Sequence, residues 1–295
     1  MGVHSSTPGK IIVPVGTSLE TPSGKDAAYE NFPVGSWLLP RHLRPHIATF
    51  YNFARAIDDI ADNPEMPAED KISRLEAFDA ALVGGENGDP ALATVHRMRH
   101  SLTETKVSPQ HCRDLIVAFK QDAVKRRYKD WPDLIDYCRL SAAPVGRYLL
   151  DLHGGSQRGY DASDALCNAL QVINHLQDCQ EDYRLLDRVY LPQDWLQAEG
   201  TSVEELDASR SSPGMRRVLD RCLDGTAELL LAAGQLPGGL HSRRLALESA
   251  VILDIATRLT GLLRRGDPLA GRVALRKSEY VHCVVTGVCK GLLAH

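Results

Sequence analysis

No CxxC pair occurs in this sequence, although cysteine stands at positions 112, 138, 167, 179, 222, 283 and 289. Their odd number and wide scatter exclude a disulfide framework and a thiolate zinc site, and fit reduced core thiols in a cytosolic protein. No apolar run approaches the roughly 18 residues of a membrane span. Charge of one sign is also lacking. With 34 Lys and Arg against 38 Asp and Glu the net charge is −4, which leaves no basic footprint for nucleic acid. Strand-like alternation is scarce, and no GxGxxG follows such a run, so a dinucleotide-binding βαβ unit is excluded.

What is present is helical periodicity. "RPHIATFYNFARAIDDIA" places Ile47, Phe50, Ala54, Ile57 and Ala61 three or four residues apart, and "HCRDLIVAFKQDAVKRRY" and "RRLALESAVILDIATRLTGLL" behave alike. Loops fall at "VGGENGDP", "HGGSQRGYDASD", "GQLPGG" and "RRGDPLAG". Ser108 with Pro109 reads as a helix cap and first-turn proline, and Asp161 or Ser163 as the start of a helix reaching Asp182. Residues 1–25, apolar only over Ile11 to Val15 and interrupted by Pro14, read as a mobile arm and not a signal peptide. With 43% hydrophobic residues the remainder, 26–295, can bury a large core. The expectation is one all-α domain of about ten helices.

Two acidic clusters stand out against this background. "ARAIDDIADN" sets Asp58, Asp59 and Asp62 within five positions, with Arg55 one turn ahead. Like charges at i,i+4 destabilise a helix by roughly 0.2–0.5 kcal/mol, so such a cluster is either a solvated face or a site that a cation fills. The second cluster, "NALQVINHLQDCQEDYR", spaces Gln171, Asn174, Asp178 and Asp182 along one helical face, with Glu181 at its edge and Leu170, Val172, Ile173 and Leu176 opposite. A polar stripe inside an apolar helix argues for a buried site. Two such helices facing each other would suit Mg²⁺, a hard ion that takes carboxylates and completes its shell with water and phosphate oxygens. A di-iron bundle would need paired Glu-x-x-His motifs, and only Glu279 with His282 has that spacing. His42 and His46, with Pro45 between them and no acidic partner, read as structural.

The clusters, with "YCRLSAAPVG" between them and "VYLP" after the second, resemble the squalene and phytoene synthase family in order and spacing over roughly residues 28 to 290. That family's fold is an all-α isoprenoid synthase bundle around a central cavity. "ENFPVGSWLLP" and the glutamine of "HLQD" are most similar to its bacterial hydroxysqualene synthase branch of hopanoid biosynthesis. The resemblance implies that Asp58, Asp62, Asp178 and Asp182 hold Mg²⁺, that Arg55 grips phosphate oxygens, and that Gln171, Asn174 and Gln177 line the diphosphate site. It places Tyr137 near the reacting carbons, Tyr51 in the cavity, and Val145 and Gly146 along the prenyl tunnel.

Departures from the family pattern discriminate within it. Gln177 stands where coupling synthases have Arg, and Ala27 and Ala28 where they have a basic His. Fewer phosphate-facing cations suit a substrate with one diphosphate. The implied reaction converts presqualene diphosphate and water to hydroxysqualene and diphosphate, without NADPH. Head-to-head coupling of two farnesyl or geranylgeranyl diphosphates is the enzymatic alternative, and a prenyl-lipid binder the non-enzymatic one. Arg272, Arg276 and Lys277 are read as solvated surface rather than as a cover for the diphosphate. The implied setting is cytoplasmic, with peripheral contact to the inner membrane and to neighbouring hopanoid-pathway enzymes compatible with the greasy substrate.

Overall fold

A computed structural model describes residues 38–84, 90–155 and 157–293. The arm expected over residues 1–25, and Ala27 and Ala28, lie outside the described residues. Helix α1 spans Arg44–Asp62, α2 Ala68–Val83, α3 Ala93–Thr105 and α4 Gln110–Asp122. Then come α5 (Trp131–Ser141), α6 (Ala143–Leu152), α7 (Tyr160–Gln177), α8 (Cys179–Leu186) and α9 (Gln193–Ala198). The C-terminal part holds α10 (Pro213–Ala233), the short α11 (Leu236–Gly239), α12 (Arg243–Arg265) and α13 (Lys277–Leu293). The all-α class holds, with more and shorter helices than periodicity separates.

Local chemistry sets most boundaries. The first turns of α1, α5 and α10 carry prolines, whose fixed φ suits the helix start and whose missing N–H would have no intrahelical partner there. Asp130 caps α5 by accepting from the Asp133 N–H at 3.0 Å, and Ser212 caps α10 through Met215 at 3.1 Å. Ser108 accepts from the Gln110 N–H at 3.2 Å, so it serves the expected start of α4, but Pro109 lies just outside the helix. Helix α7 begins at Tyr160 with no side-chain cap, ahead of the Asp161 or Ser163 start expected, and Ser163 is instead buried inside the helix.

A larger correction concerns the helix expected to run on to Asp182. It breaks at Asp178, where φ and ψ are −104° and 9°. The Asp178 N–H still reaches Asn174 and the Asp182 N–H still reaches Asp178, at 2.9 and 2.8 Å, so the chain bends without unwinding. Helix α8 is held in its new direction by Gln180, which donates to the Leu206 and Ala208 carbonyls, and by the Arg184–Asp207 pair.

A two-stranded parallel pair, β1 (Arg127–Tyr128) with β2 (Val189–Pro192), was not foreseen. Runs of two and four residues are too short to show a period, and every residue of β2 is buried, which erases alternation.

Helix α1 packs with α2, α3 and α4, while α7 packs with α5, α6, α10 and α12. Contacts of α4 with α5 and α6 join the two groups, leaving a central cavity between α1 and α7. The junction is dry: Phe53, Ile57, Ile60, Leu115 and Ile173 are essentially inaccessible. Each such side chain contributes roughly 1.5–3 kcal/mol on burial. Phe50 stacks on Tyr148 with ring centroids 3.9 Å apart, tying α1 to α6. Among the described residues no helix is long and apolar enough to cross a membrane.

Helix α13 lies against α12 at backbone distance. A Cβ built on Gly287 would sit 2.5 Å from Val251 Cα and 2.9 Å from its nitrogen. Gly287→Ala must therefore separate two helix backbones, and it should lower stability by about 1–3 kcal/mol in urea unfolding. An unchanged midpoint would contradict this packing.

Candidate active site

The aspartates of α1 do not form a solvated face. Asp59 is buried, and Arg55 reaches both Asp58 at 2.8 Å and Asp59 at 2.9 Å. Asp58 and Asp62, one turn apart, line a polar cavity of about 270 Å³, as do Tyr51 and Arg55. Asp62 meets the buried Arg188 guanidinium at 2.5 Å. The C-terminal end of α1 is secured by the same group: the Ala61 carbonyl accepts from Arg188 and from Lys71, each at 2.8 Å. These two cations satisfy a helix end that would otherwise leave a carbonyl orphaned in the interior.

On the facing wall Gln171, Asn174, Asp178 and Asp182 all line the cavity, in spite of the bend at Asp178. Glu181 is exposed. Gln177 departs from expectation. It is buried away from the cavity, and its amide donates to the Val273 carbonyl at 2.6 Å. At the end of α7 its side chain points toward the segment between α12 and α13, not toward the aspartates. That segment adds a feature: Arg272, read from the sequence as solvated surface, is exposed and also lines the cavity, whereas Arg276 and Lys277 do not line it.

Between the walls lies a group that motif reading missed. Asp122, at the end of α4, accepts from the Tyr137 hydroxyl at 2.7 Å and from the Tyr190 hydroxyl at 3.0 Å. Tyr190 lies face to face with His175, ring centroids 3.5 Å apart, and Tyr137 is within 5.5 Å of Tyr190 by the same measure. The Gln171 amide donates to His175 Nε2 at 3.2 Å, which puts the ring proton on Nδ1, 4.0 Å from Asp182. Arg188 closes the group from below, donating to the Asp122 carbonyl at 3.2 Å. Asp122 is concealed in the sequence as one acid on an amphipathic helix. Arg188 and Tyr190 stand in "DRVYLP", beside a motif that was read only for its order.

Burial governs the charges here. Burial and the neighbouring Asp62 push Asp58 well above the usual carboxylate range, against the pull of Arg55. Burial also raises Asp122 to about 6, although Arg188 and the two tyrosine hydroxyls pull it down. His175 is lowered to about 3 by burial and by Arg188, so its ring is neutral at physiological pH. Burial works against the charge of Arg188, yet Tyr190, Asp122 and Asp62 outweigh it and hold the guanidinium protonated. The cavity wall carries five aspartates, Asp58, Asp62, Asp122, Asp178 and Asp182, against the guanidinium groups of Arg55, Arg188 and Arg272. Among the described residues no three His, Cys, Asp or Glu side chains converge to hold an ion by themselves. Four carboxylates on opposite walls fit divalent ions that take part of their shell from the protein and the rest from water and phosphate. The other candidates found no such role: His46 bonds Ser101 at 2.8 Å, and Glu279 pairs with Arg258 at 2.8 Å.

A second cavity, about 240 Å³ and mostly apolar, adjoins the first and shares Tyr51, Gln171 and Asn174 with it. Val145 and Gly146 line it. Gly146 has a further role. A Cβ there would lie 2.3 Å from Ser163 Oγ and 2.7 Å from Cys167 Sγ, so glycine also lets α6 approach α7.

Comparison with known proteins follows the same lines. The family model for squalene/phytoene synthase matches residues 26–279. A hydroxysqualene synthase from Rhodopseudomonas palustris is 46% identical over 263 residues, 89% of each chain. Another from Sinorhizobium fredii is 45% identical over 85% of each chain. Among solved structures, squalene synthase HpnC from Alicyclobacillus acidocaldarius superposes with a TM-score of 0.70 at 33% identity, covering 80% of this chain and 89% of that one.

The raised Asp122 carries a linkage consequence. The folded protein holds this proton more tightly than the unfolded chain, so the parent's carboxylate costs stability as pH rises from the unfolded value near 3.8 through about 6. The unfolding free energy of Asp122→Asn relative to the parent should therefore shift in the variant's favour by about 2–3 kcal/mol between pH 4 and 7. Urea unfolding of metal-free protein at both pH values measures it, and a difference independent of pH would contradict the assigned ionisation.

Proposed function

We propose that this chain, which belongs to the squalene/phytoene synthase family, acts as a hydroxysqualene synthase, converting presqualene diphosphate and water to hydroxysqualene and diphosphate. The observation that carries this reading is the junction of the two cavities. An acidic chamber opens directly into an apolar one, and Tyr51, Gln171 and Asn174 stand at the boundary. An amphiphile with a diphosphate head and long hydrocarbon tails matches that division. The identity to relatives called hydroxysqualene synthases supports the specific substrate.

Asp58 and Asp62 on one wall, with Asp178 and Asp182 on the other, would hold Mg²⁺. When bound, Mg²⁺ neutralises charge on the leaving diphosphate and favours C–O cleavage. Arg55 and Arg272 supply guanidinium donors to phosphate oxygens, a geometry that arginine suits well. The C–O bond to diphosphate breaks, the cyclopropane ring opens to an allylic cation, and water adds to it.

The aromatic faces of Tyr137, Tyr190 and His175 offer fixed negative quadrupole to the cation. Because His175 is neutral, it adds no repulsion. Asp122 fixes both tyrosine hydroxyls by accepting from them, which preorganises the dipoles before charge develops. The proton lost by the captured water passes to the departing diphosphate. The overall conversion consumes no reductant, so NADPH has no part in it. The apolar product favours a cytoplasmic enzyme working against the membrane surface, beside the enzyme that receives the alcohol.

Product analysis by gas chromatography–mass spectrometry tests this reading. Purified protein with Mg²⁺ and presqualene diphosphate, without NADPH, should release hydroxysqualene, while farnesyl diphosphate alone should survive. Coupling of farnesyl diphosphate would replace this proposal with the squalene-type reaction. Asp58→Asn and Asp178→Asn should each lower turnover by roughly 10²-fold or more while the circular dichroism spectrum is unchanged. Turnover at the parent's rate in both variants would remove the metal assignment.

A further inference from the structure

We infer that Gln177 is a positioning residue: its side-chain amide fixes the irregular segment that carries Arg272, and thereby sets that cation at the wall of the acidic cavity. The inference rests on the diphosphate reading of that cavity and adds a residue that does not touch it.

Three cationic side chains line the cavity among the described residues, Arg55, Arg188 and Arg272. Arg55 lies on α1 and is already engaged by Asp58 and Asp59. Arg188 is engaged by Asp62 and by two backbone carbonyls. Both are set in place by the packed core around them. Arg272 is carried by a different kind of element. It belongs to the connection between α12 and α13, which runs from Gly271 to Arg276 without helix or strand structure, mostly exposed. Val273 and Leu275 pack against the core while their neighbours are exposed, so the backbone is held at few points.

The bond from Gln177 Nε2 to the Val273 carbonyl, 2.6 Å long, joins residues 96 apart in sequence, one position beyond Arg272. Gln177 is 6% exposed and ends α7, directly before Asp178. The strut therefore grows from the same rigid base as one of the site's aspartates. On the other side, Val273 presses toward Gly266, where a Cβ would lie 3.0 Å from Val273 Cγ2, so the segment is clamped from two directions. The glutamine amide meets the carbonyl as an N–H donor. A glutamate of the same size would set a carboxylate against it.

The test uses the full chain and four variants: Gln177→Leu, Gln177→Glu, Arg272→Ala, and Gln177→Leu with Arg272→Ala. Calorimetry reads the affinity for inorganic diphosphate in excess Mg²⁺, and mass spectrometry reads amide exchange over residues 271–276. Gln177→Leu and Arg272→Ala should each weaken diphosphate binding by about tenfold, the scale of one charge-assisted contact. The double variant should bind no more weakly than either single one, because both remove the same contact. Exchange at 271–276 should quicken in Gln177→Leu while α7 remains protected. Gln177→Glu, which keeps the volume and loses the donor, should reproduce the weaker binding and so separates the bond from packing. Parental affinity in both Gln177 variants, or losses that multiply in the double variant, overturns the inference. If Arg272→Ala and Asp58→Asn both bind diphosphate as the parent does, the diphosphate reading itself falls, a pattern distinct from silence at Gln177 alone.

Discussion

Arg188 brings a full positive charge into the interior of the bundle, and the arrangement of the acidic cavity depends on how that charge is satisfied. Its guanidinium meets Asp62 at 2.5 Å, the Ala61 carbonyl at 2.8 Å and the Asp122 carbonyl at 3.2 Å. Removing an ion from water costs several kcal/mol unless such partners are supplied. Here they come from the ends of α1 and α4, while Arg188 itself stands just before β2. One side chain thus fixes three elements relative to each other at the point where Asp62, Asp122 and Tyr190 must converge. The β1–β2 pair, short as it is, holds the backbone that delivers Arg188.

With that anchor in place, the acidic cavity stores electrostatic imbalance. Asp58 sits near Asp62 and is driven toward its neutral form by burial, and Asp122 is raised for the same reason. On the proposed reading, bound cations would offset both the burial and the mutual repulsion of these carboxylates. The apolar chamber beside it has the opposite character, and a substrate spanning both must place its charged head and its tails in fixed opposite directions. On the proposed reading the reacting carbons would enter the acidic cavity from that boundary, on the side lined by the Tyr137, Tyr190 and His175 rings. Orientation by solvation of this kind requires few specific contacts to the tails.

Much of the site was legible because it repeats at helical spacing. Asp58 and Asp62 with Arg55, and Gln171, Asn174, Asp178 and Asp182, share faces that a 3.6-residue period exposes, and all line the cavity. The period extrapolated too far at Asp178, because tertiary anchors on Gln180 and Arg184, absent from any local rule, turn α8 aside. Gln177 and Arg272 were misplaced for a related reason. A hydrogen bond across 96 residues leaves no trace in the composition of either end.

The sequence by itself determined the helical class, the two carboxylate faces and the apolar faces that bury them, since these follow from side-chain period along a single chain segment. Tertiary structure alone decided that Asp122, Tyr190 and Arg188 line one cavity with the two acidic faces, that Gly146 serves a helix contact as well as a cavity wall, and that Arg272, exposed as it is, stands at the edge of the acidic cavity. Those outcomes depend on which surfaces meet, and burial can turn an ordinary aspartate or arginine into a functional group only after distant segments have excluded water around it.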